Sequence, residues 1–478
     1  MDSAALNQLS KDELIALTLA QAAEIAALKA RLDELERRLG LNSSNSGKPP
    51  SSDGLRKPPR RTRSSRERSG KKPGGQKGHK GETLRQVAEH DAVLDHFPSS
   101  CAACSEDLTP AMSTGFSARQ VFDLPEPPPP VVTEHRAHIC TCAHCGAKTS
   151  AAFPEGVNAP VQYGPRIAAT VVYLQHYQLL PEDRLAELMA ALFGVKIVPA
   201  TIARMSRSCA ERLQDFATTL RDQVAGAPVK HMDETGFRIG GKTQWLHVAC
   251  TTGFTFYRVS AKRGSLLDNV KGIVVHDHWK PYYTMPAVIH ALCGSHHLRE
   301  LKALIEIEKE DWARKMHQLL RRACHAANLA RERDGPLAPS LIELFDRRYD
   351  AVVAEGIAFH EAQSPLEPAS ASQDRAKKRG RKRRRTGHNL LLRLLTRKQD
   401  ALRFLSDPRV PFSNNEAERD ERMMKVKQKI SGGFRSTQGA EDFAVIRSAI
   451  GTAIKQGWNL IRSLGQDSKT LTALLLGG

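Results

Sequence analysis

The stretch His231-Met232-Asp233-Glu234-Thr235-Gly236 decides how this chain folds. The apolar run 228–232 leads into its acidic residues, and a second β-leaning run, 244–250, follows its glycine. Two such runs separated by turn residues are typical of a strand that turns back as a hairpin. The sequence therefore predicts a strand that ends in the carboxylate of Asp233.

Two further acidic positions follow along the chain. Gly272-Ile273-Val274-Val275-His276-Asp277 predicts a short strand that ends in Asp277, and Asn414-Asn415-Glu416-Ala417-Glu418-Arg419 predicts an acid-rich helix start. Two strand-end aspartates and one helix-borne glutamate match a two-metal phosphoryl-transfer site, because hard cations such as Mg²⁺ take oxygen ligands. Turn, capping and solvated-face roles are the alternatives for these acids.

The positive charge of the chain is concentrated in two segments. Lys and Arg exceed Asp and Glu by 19 among 478 residues. Residues 54–80 hold eleven Lys and Arg against one Glu, and residues 375–385 hold nine with no acid, so these two segments carry the whole excess. Such concentrated charge indicates a phosphate polymer as partner. Neither segment adjoins an apolar anchor, so we expect no membrane partner.

The sequence shows neither a secretory start nor a long apolar run, so we expect a soluble, cytoplasmic protein that is nucleoid-associated when bound to DNA. Cys209, Cys250, Cys293 and Cys324 are scattered singles, which we interpret as reduced core residues.

The other five cysteines lie close together in the sequence. Cys101-Ala102-Ala103-Cys104 and Cys142-Ala143-His144-Cys145 are paired C-x-x-C motifs, which predict one structural Zn²⁺ held by Cys101, Cys104, Cys142 and Cys145. Cys140, His138 and His144 are rival ligands.

Apolar periodicity predicts the remaining organisation. Ile25, Leu28, Leu32, Leu35 and Leu39 repeat at three and four, which favours a coiled coil over a helix lying on the body. Residues 164–226 read as helices that suit either a helix-turn-helix or a plain connector. Residues 228–300 read as strand, hairpin, helix, strand and strand, and residues 297–365 as helices.

Acid-bearing strands, then a long helical stretch, then a helix with the last acid predict an α/β catalytic core. This core is ribonuclease H-like, with a helical insertion before the last catalytic helix. An N-terminal coiled coil, a zinc-ribbon-like module and a helical DNA-binding region accompany it. The expected regions are a leucine-zipper-like helix (1–40), a disordered basic linker (41–90), a zinc-binding domain (91–155), a helical region (160–226), the first part of the core (227–296), a helical insertion (297–405) with a basic disordered segment (366–388), and the final catalytic and C-terminal helices (406–478).

Several of these motifs, in this order, resemble the large transposase of bacterial insertion sequences of the sixty-six family, a member of the DDE superfamily. The segments that carry the resemblance are 41–54, the cysteine pairs within 101–145, 231–236, Asp277 with Tyr282-Tyr283, 293–301, 410–419 and 429–436.

The resemblance implies a role for each matching residue. The family pattern Asn-Asn-x-x-Glu-Arg falls on 414–419 and selects Glu418, so that Asp233, Asp277 and Glu418 would be catalytic and hold two Mg²⁺ or Mn²⁺ ions. Cleavage and strand transfer at the terminal inverted repeats of the element would be the activity. The expected DNA contacts are Arg60, Arg61, Arg63, Arg66, Arg68, Lys71, Lys72, Arg419, Arg422 and Lys425.

The expected partners are double-stranded DNA, a second copy of the chain in a homodimer or higher oligomer, and small accessory proteins of the same element. Two other functions are consistent with the sequence. One is a DNA-binding regulator with an inactive core, and the other is a structure-specific nuclease that cleaves without joining.

Overall fold

The computed structural model describes residues 10–41, 45, 78, 80, 83–127, 129–264, 267–363 and 384–477. The arm residues predicted to contact DNA, Arg60 through Lys72, lie outside the described residues, as does most of the basic segment 366–388. Within these ranges, no helix is long and apolar enough to cross a membrane.

The first element is the helix α1, Lys11–Gly40. It begins at a capping box, in which the Ser10 backbone N–H donates to the Glu13 carboxylate at 2.8 Å and the Glu13 N–H donates back to the Ser10 hydroxyl at 3.3 Å. Its apolar repeat is exposed to solvent at Ile25, Leu28, Leu32, Leu35 and Leu39. The leucine repeat is therefore available to a partner helix, and the coiled coil stays a prediction.

The cysteine-rich module contains little regular structure. Strands β1, Ile139–Thr141, and β2, Lys148–Ser150, form an antiparallel hairpin, and an isolated bridge joins Ser100 to Asp107. Each bridge or hairpin encloses one C-x-x-C pair.

Four helices then precede the sheet, in the region that the periodicity predicted to be helical. They are α2, Pro165–His176; α3, Glu182–Phe193; α4, Pro199–Arg212; and α5, Gln214–Gly226. The turn after α3 uses Gly194 in the left-handed region at φ 64°, where a glycine carries no Cβ penalty.

A five-stranded mixed sheet follows these helices in the chain. Its strands are β3, Val229–Ile239; β4, Lys242–Cys250; β5, Thr255–Ser260; β6, Gly272–His276; and β7, Val288–Leu292. The order across the sheet is β5-β4-β3-β6-β7. β3, β4 and β5 pair antiparallel, whereas β6 and β7 run parallel to β3.

The structure corrects two details of this region. β3 does not end at Asp233 but continues to Ile239, because its ladder with β4 runs on to Lys242 and the chain turns at Gly240-Gly241. Both glycines have positive φ, as a two-residue hairpin turn requires. The helix predicted after the hairpin is wrong, because a third strand, β5, pairs with β4 there instead.

After β7 the chain is helical in the described residues. The helices are α6, Gly294–Ala303, followed by a π-helical turn, Leu304–Glu308; α7, Asp311–Arg331; α8, Pro339–Glu361; α9, Thr386–Thr396; α10, Lys398–Ser406; α11, Asn415–Ser431; α12, Thr437–Lys455; α13, Leu460–Leu464; and α14, Ser468–Leu476. α9 begins at Thr386, inside the segment 366–388 that was predicted to be basic and disordered, so that prediction is wrong for its last residues.

The helices cover the sheet in two ways. One face of the sheet packs against α6–α10 through a large apolar cluster and against α11 and α12 through a second one. The opposite face packs on α5 and on the short 3₁₀ turn Lys280–Thr284. The C-terminal helices α12–α14 return to α2, α4 and α5, so both ends of this region share one core.

Candidate active site

The strand register places the two predicted aspartates side by side. β3 pairs in parallel with β6 from Val229–Ile273 to His231–Val275. Continuing that register by two residues aligns Asp233 with Asp277, which follows the last residue of β6. Paired residues of a sheet point to the same face. The two carboxylates therefore share the face that α11 covers.

Burial and neighbouring acids act strongly on Asp233. Burial raises its pKa well above the usual value, and the carboxylates of Glu234, Asp277 and Glu418 add to the rise. Burial also raises the pKa of Asp277, although its Oδ1 accepts a hydrogen bond from the Trp279 N–H at 2.8 Å. This crowding of negative charge is a setting in which a divalent cation would be stabilising.

Glu234 has a different role from Asp233, the residue before it in the same motif. It points to the opposite face of β3 and is almost fully buried. Its Oε1 accepts from the Arg263 guanidinium at 2.8 Å, and its Oε2 accepts from the Tyr282 hydroxyl at 2.6 Å. Arg263 in turn lies 4.2 Å from the ring centroid of Trp279. The Glu234 carboxylate is therefore fully partnered and holds the segment after Asp277 against β3.

Helix α11 is held over Asp233 by the residue before its first turn. Asn414 is fully buried, and its side chain contacts His231 at 2.9 Å and the Met232 carbonyl at 2.8 Å. Its backbone N–H donates to the Cys293 Sγ at 3.2 Å. Asn414 thus joins β3, the end of β7 and α11 at one point, which fixes where Glu418 sits one turn later.

Glu418 faces the start of α6 as well as the aspartates. Its Oε1 lies 3.7 Å from Nδ1 of His296 and 3.6 Å from the Arg299 guanidinium. Within the described residues, Cys293, His296 and Glu418 are the group of three potential metal ligands whose donor atoms lie within 4.8 Å of one another. Asp233 and Asp277 do not join such a group.

A fourth acid of α11, Glu421, lies in the core. Glu421 is 8% exposed, and burial together with the Asp233 carboxylate raises its pKa well above the usual value. Its Oε1 is buried without a hydrogen-bond partner. Glu416, by contrast, pairs with the exposed Arg419 at 2.5 Å.

The residues expected to contact DNA on α11 are only partly free to do so. Arg419 and Arg422 are exposed. The Lys425 ammonium instead donates to the Gly236 carbonyl at 3.1 Å, so it braces α11 against β3. Lys425 lies on the same face of α11 as Glu418, but its ammonium group is engaged in a contact within the chain.

In each of the two cysteine pairs, the backbone favours the thiolate form of the first cysteine. The backbone N–H groups of Ala103 and Cys104 lower the pKa of Cys101. Those of Cys145 and His144 do the same for Cys142. Such N–H donors favour the thiolate, which is the form that binds Zn²⁺. The Sγ atoms of the two pairs do not lie together within 4.8 Å in the described structure.

Sequence reasoning missed two residues of this site, because the pattern at 414–419 gives Asn414 no role of its own and selects Glu418 without a role for Glu421. Cys293 is free and buried, which confirms the prediction of a reduced core residue, but its contact with Asn414 was not predicted. The glycine after Cys293 offers a signal, because a Cβ on Gly294 would overlap the ring of Phe412. That close approach brings the segment before α11 to the end of β7.

Comparison with known families agrees with this arrangement. Residues 160–442, more than half of the chain, match the model of the IS66 family of transposases, and residues 98–146 match that of the zinc-finger binding domain of transposase IS66. Residues 3–85 match a family of unknown function (DUF6444). None of the curated proteins matches the chain. Because the transposase model spans the sheet, the predicted acids and α11, this chain belongs to the IS66 family of transposases.

Proposed function

We propose that the chain is a DDE-type transposase that binds the terminal inverted repeats of an insertion sequence and cleaves and joins DNA there. The observation that carries this proposal is the strand register, which aligns Asp233 with Asp277 on the face under α11. The sheet order, with three antiparallel strands followed by two parallel ones, supports a ribonuclease H-like core. The helices between β7 and α11 would then be an insertion before its last catalytic helix.

Asp233, Asp277 and Glu418 are the residues that would hold two divalent cations, Mg²⁺ or Mn²⁺. The donors fit, because they are hard oxygen ligands, and because Glu418 Oε1 is buried without a hydrogen-bond partner. When bound, such ions supply activation of an attacking water or 3′-hydroxyl and charge stabilisation at the leaving oxygen.

The surrounding residues of the chain would orient these acids and exclude water. Asn414 pins α11 to β3, and the Glu234–Arg263 pair, 2.7 Å apart, holds the segment that follows Asp277. Asp233 is half-buried, so protein atoms replace part of the water around its carboxylate. Preorganised charge of this kind acts more strongly where water is excluded.

DNA binding would combine several separate surfaces. Arg419 and Arg422 lie exposed on the helix that carries Glu418, where they would meet phosphates next to the scissile bond. The basic arm from Arg60 to Lys72 would add backbone affinity, and the helices of 160–226 would contact the end sequence. The exposed leucine repeat of α1 suits a homodimer, and accessory proteins of the same element are expected partners.

Strand transfer of a labelled end-bearing oligonucleotide in Mg²⁺ tests the proposal. Asp233→Asn, Asp277→Asn and Glu418→Gln keep side-chain size and remove a ligand charge, so activity should fall by orders of magnitude while folding and end binding persist. Glu416→Gln is the control, because Glu416 lies on the same helix but pairs with exposed Arg419.

The outcomes separate the competing functions. Cleavage without joining would indicate a nuclease, and binding without either reaction a regulator with an inactive core. Full activity in Glu418→Gln with loss of activity in Glu416→Gln would show that the assignment of Glu418 as the catalytic glutamate is wrong. Equal activity in all four variants would remove the two-metal site.

A further inference from the structure

A cysteine, a histidine and a glutamate converge where β7 meets α6. Cys293 follows the last residue of β7, His296 lies in the first turn of α6, and Glu418 reaches them from α11. Their three donor atoms lie within 4.8 Å of one another. Cys293 is 1% exposed, so its thiol meets only protein.

Two of these donor atoms lack hydrogen bonds. His296 Nδ1 and Glu418 Oε1 are both buried without a hydrogen-bond partner in the described structure. They lie 3.7 Å apart, which is too long for a hydrogen bond between them. Buried polar atoms in native proteins nearly always have a hydrogen-bond partner, so atoms that lack one commonly have a ligand or a function.

We propose that Cys293, His296 and Glu418 form a binding site for a divalent transition metal of the zinc class, separate from the cysteine-pair module. Sulfur, nitrogen and oxygen donors together suit Zn²⁺, whereas Mg²⁺ does not favour thiolate. Zn²⁺ bonds of roughly 2.0–2.3 Å place two donors of a tetrahedral site roughly 3.3–3.5 Å apart, so small side-chain rotations close the observed group.

The surroundings of the three donors support this site. The Asn414 N–H donates to the Cys293 Sγ at 3.2 Å, the kind of outer hydrogen bond that orients a metal ligand. Three protein ligands leave one position of a tetrahedral metal open. The competing cation is Arg299, whose guanidinium lies 3.6 Å from Glu418 Oε1 and would have to release that oxygen.

The site has a consequence for catalysis that rests on the proposed function. The same oxygens of Glu418 cannot bind a zinc-class ion beside Cys293 and a hard cation beside Asp233 at the same time. Zinc in this site would therefore withdraw the third carboxylate from the Mg²⁺ site and inhibit strand transfer. Because Glu418 would bind either zinc or Mg²⁺, the rate of transposition would depend on the concentration of free zinc.

Zinc bound per full-length chain, measured after equilibration with Zn²⁺ and removal of the excess, tests the site. Wild type should hold about two ions, Cys142→Ser about one, Cys293→Ser about one, and the double variant none. Serine keeps the size of the side chain and an acceptor for the Asn414 N–H. Arg299→Gln should tighten the weaker of the two sites by removing the competing cation. Equal zinc content in Cys142→Ser and in the double variant would overturn the proposal.

Cobalt substitution identifies the ligands and guards against misfolding. In the Cys142→Ser background, a thiolate-to-cobalt absorption band should appear, weaken in His296→Ala and vanish when Cys293→Ser is added. A band unchanged by both substitutions would contradict the site. Glu418→Gln separates the two proposals: loss of the second metal with retained strand transfer would refute the catalytic role alone, and the reverse would refute the zinc site alone.

Discussion

Glu310 and His360 form a buried acid–base pair that burial keeps neutral. Their side chains lie 3.4 Å apart, and Glu310 Oε2 also accepts from the Trp312 indole N–H at 2.7 Å. Burial raises the pKa of Glu310 to about 7 and lowers the pKa of His360 to about 4. A neutral pair avoids the cost of two buried charges, and it links α8 to the start of α7.

The contribution of Glu310 to the stability of the chain should consequently fall as pH rises across the range where Glu310 titrates, whereas the lowered pKa of His360 contributes in the opposite direction. The unfolded carboxyl loses its proton near its ordinary pKa, but the folded one holds it until about 7, so rising pH favours unfolding between those values. Glu310→Gln should flatten this slope. Thermal unfolding between about pH 5 and about pH 8 measures it, and an identical slope in both proteins would contradict the assignment.

At the scale of single elements, the start of α11 depends on one buried amide. Asn414 makes its contacts to His231, to the Met232 carbonyl and to Cys293 from a fully buried position. Loss of the side-chain amide would remove the contacts to His231 and to the Met232 carbonyl and loosen the first turn of α11, whereas the backbone N–H would still donate to Cys293. The position of Glu418 depends on that turn, because the Glu418 N–H donates to the Asn414 carbonyl at 3.1 Å.

Asn414→Ala should lower the free energy of unfolding by roughly 2–4 kcal/mol and reduce strand transfer as well. Asn415→Ala is the matched control, because Asn415 is the exposed next residue and its loss should change stability by less than about 0.5 kcal/mol. Urea unfolding of both variants measures the difference. Similar values for the two would show that the buried amide does not hold α11.

Whether one of these elements can be predicted from the sequence depends on how far apart along the chain its interacting residues lie. Periodicity predicts the helical region before the sheet and the strand before Asp277, because local burial patterns decide them. The end of β3 is not predictable, since pairing with β4 extends the strand beyond Asp233. The surroundings of Glu421 and Cys293 escape prediction, because they come from segments more than a hundred residues away.

At the scale of the whole molecule, the positively charged segments and the candidate active site lie in different parts of the chain. The two segments that carry the net charge lie outside the strands and the helix that hold the predicted acids, whereas the candidate active site is crowded with negative charge. Such a site repels DNA unless cations fill it. Under the proposed function, affinity for DNA would therefore come mainly from residues outside the candidate active site.

Neutralising Arg60, Arg61, Arg63, Arg66, Arg68, Lys71 and Lys72 should weaken binding to specific and non-specific DNA alike. The slope of log affinity against log salt should flatten by up to about 0.9 for each phosphate that the arm no longer neutralises, because fewer counterions are released. Titrations with end-bearing and scrambled duplexes at several salt concentrations measure both effects. A weakening confined to the end-bearing duplex would make the arm a sequence reader instead.

The shared core of α2, α4 and α5 with the C-terminal helices has a consequence for synthesis. Phe216 and Leu220 are buried against Ile446, Ile450 and Leu471, which leave the ribosome more than two hundred residues later. Until then, a nascent chain presents these apolar side chains to solvent and to other nascent chains. The core that both ends of this region share can therefore form only after nearly all of this sequence has been translated.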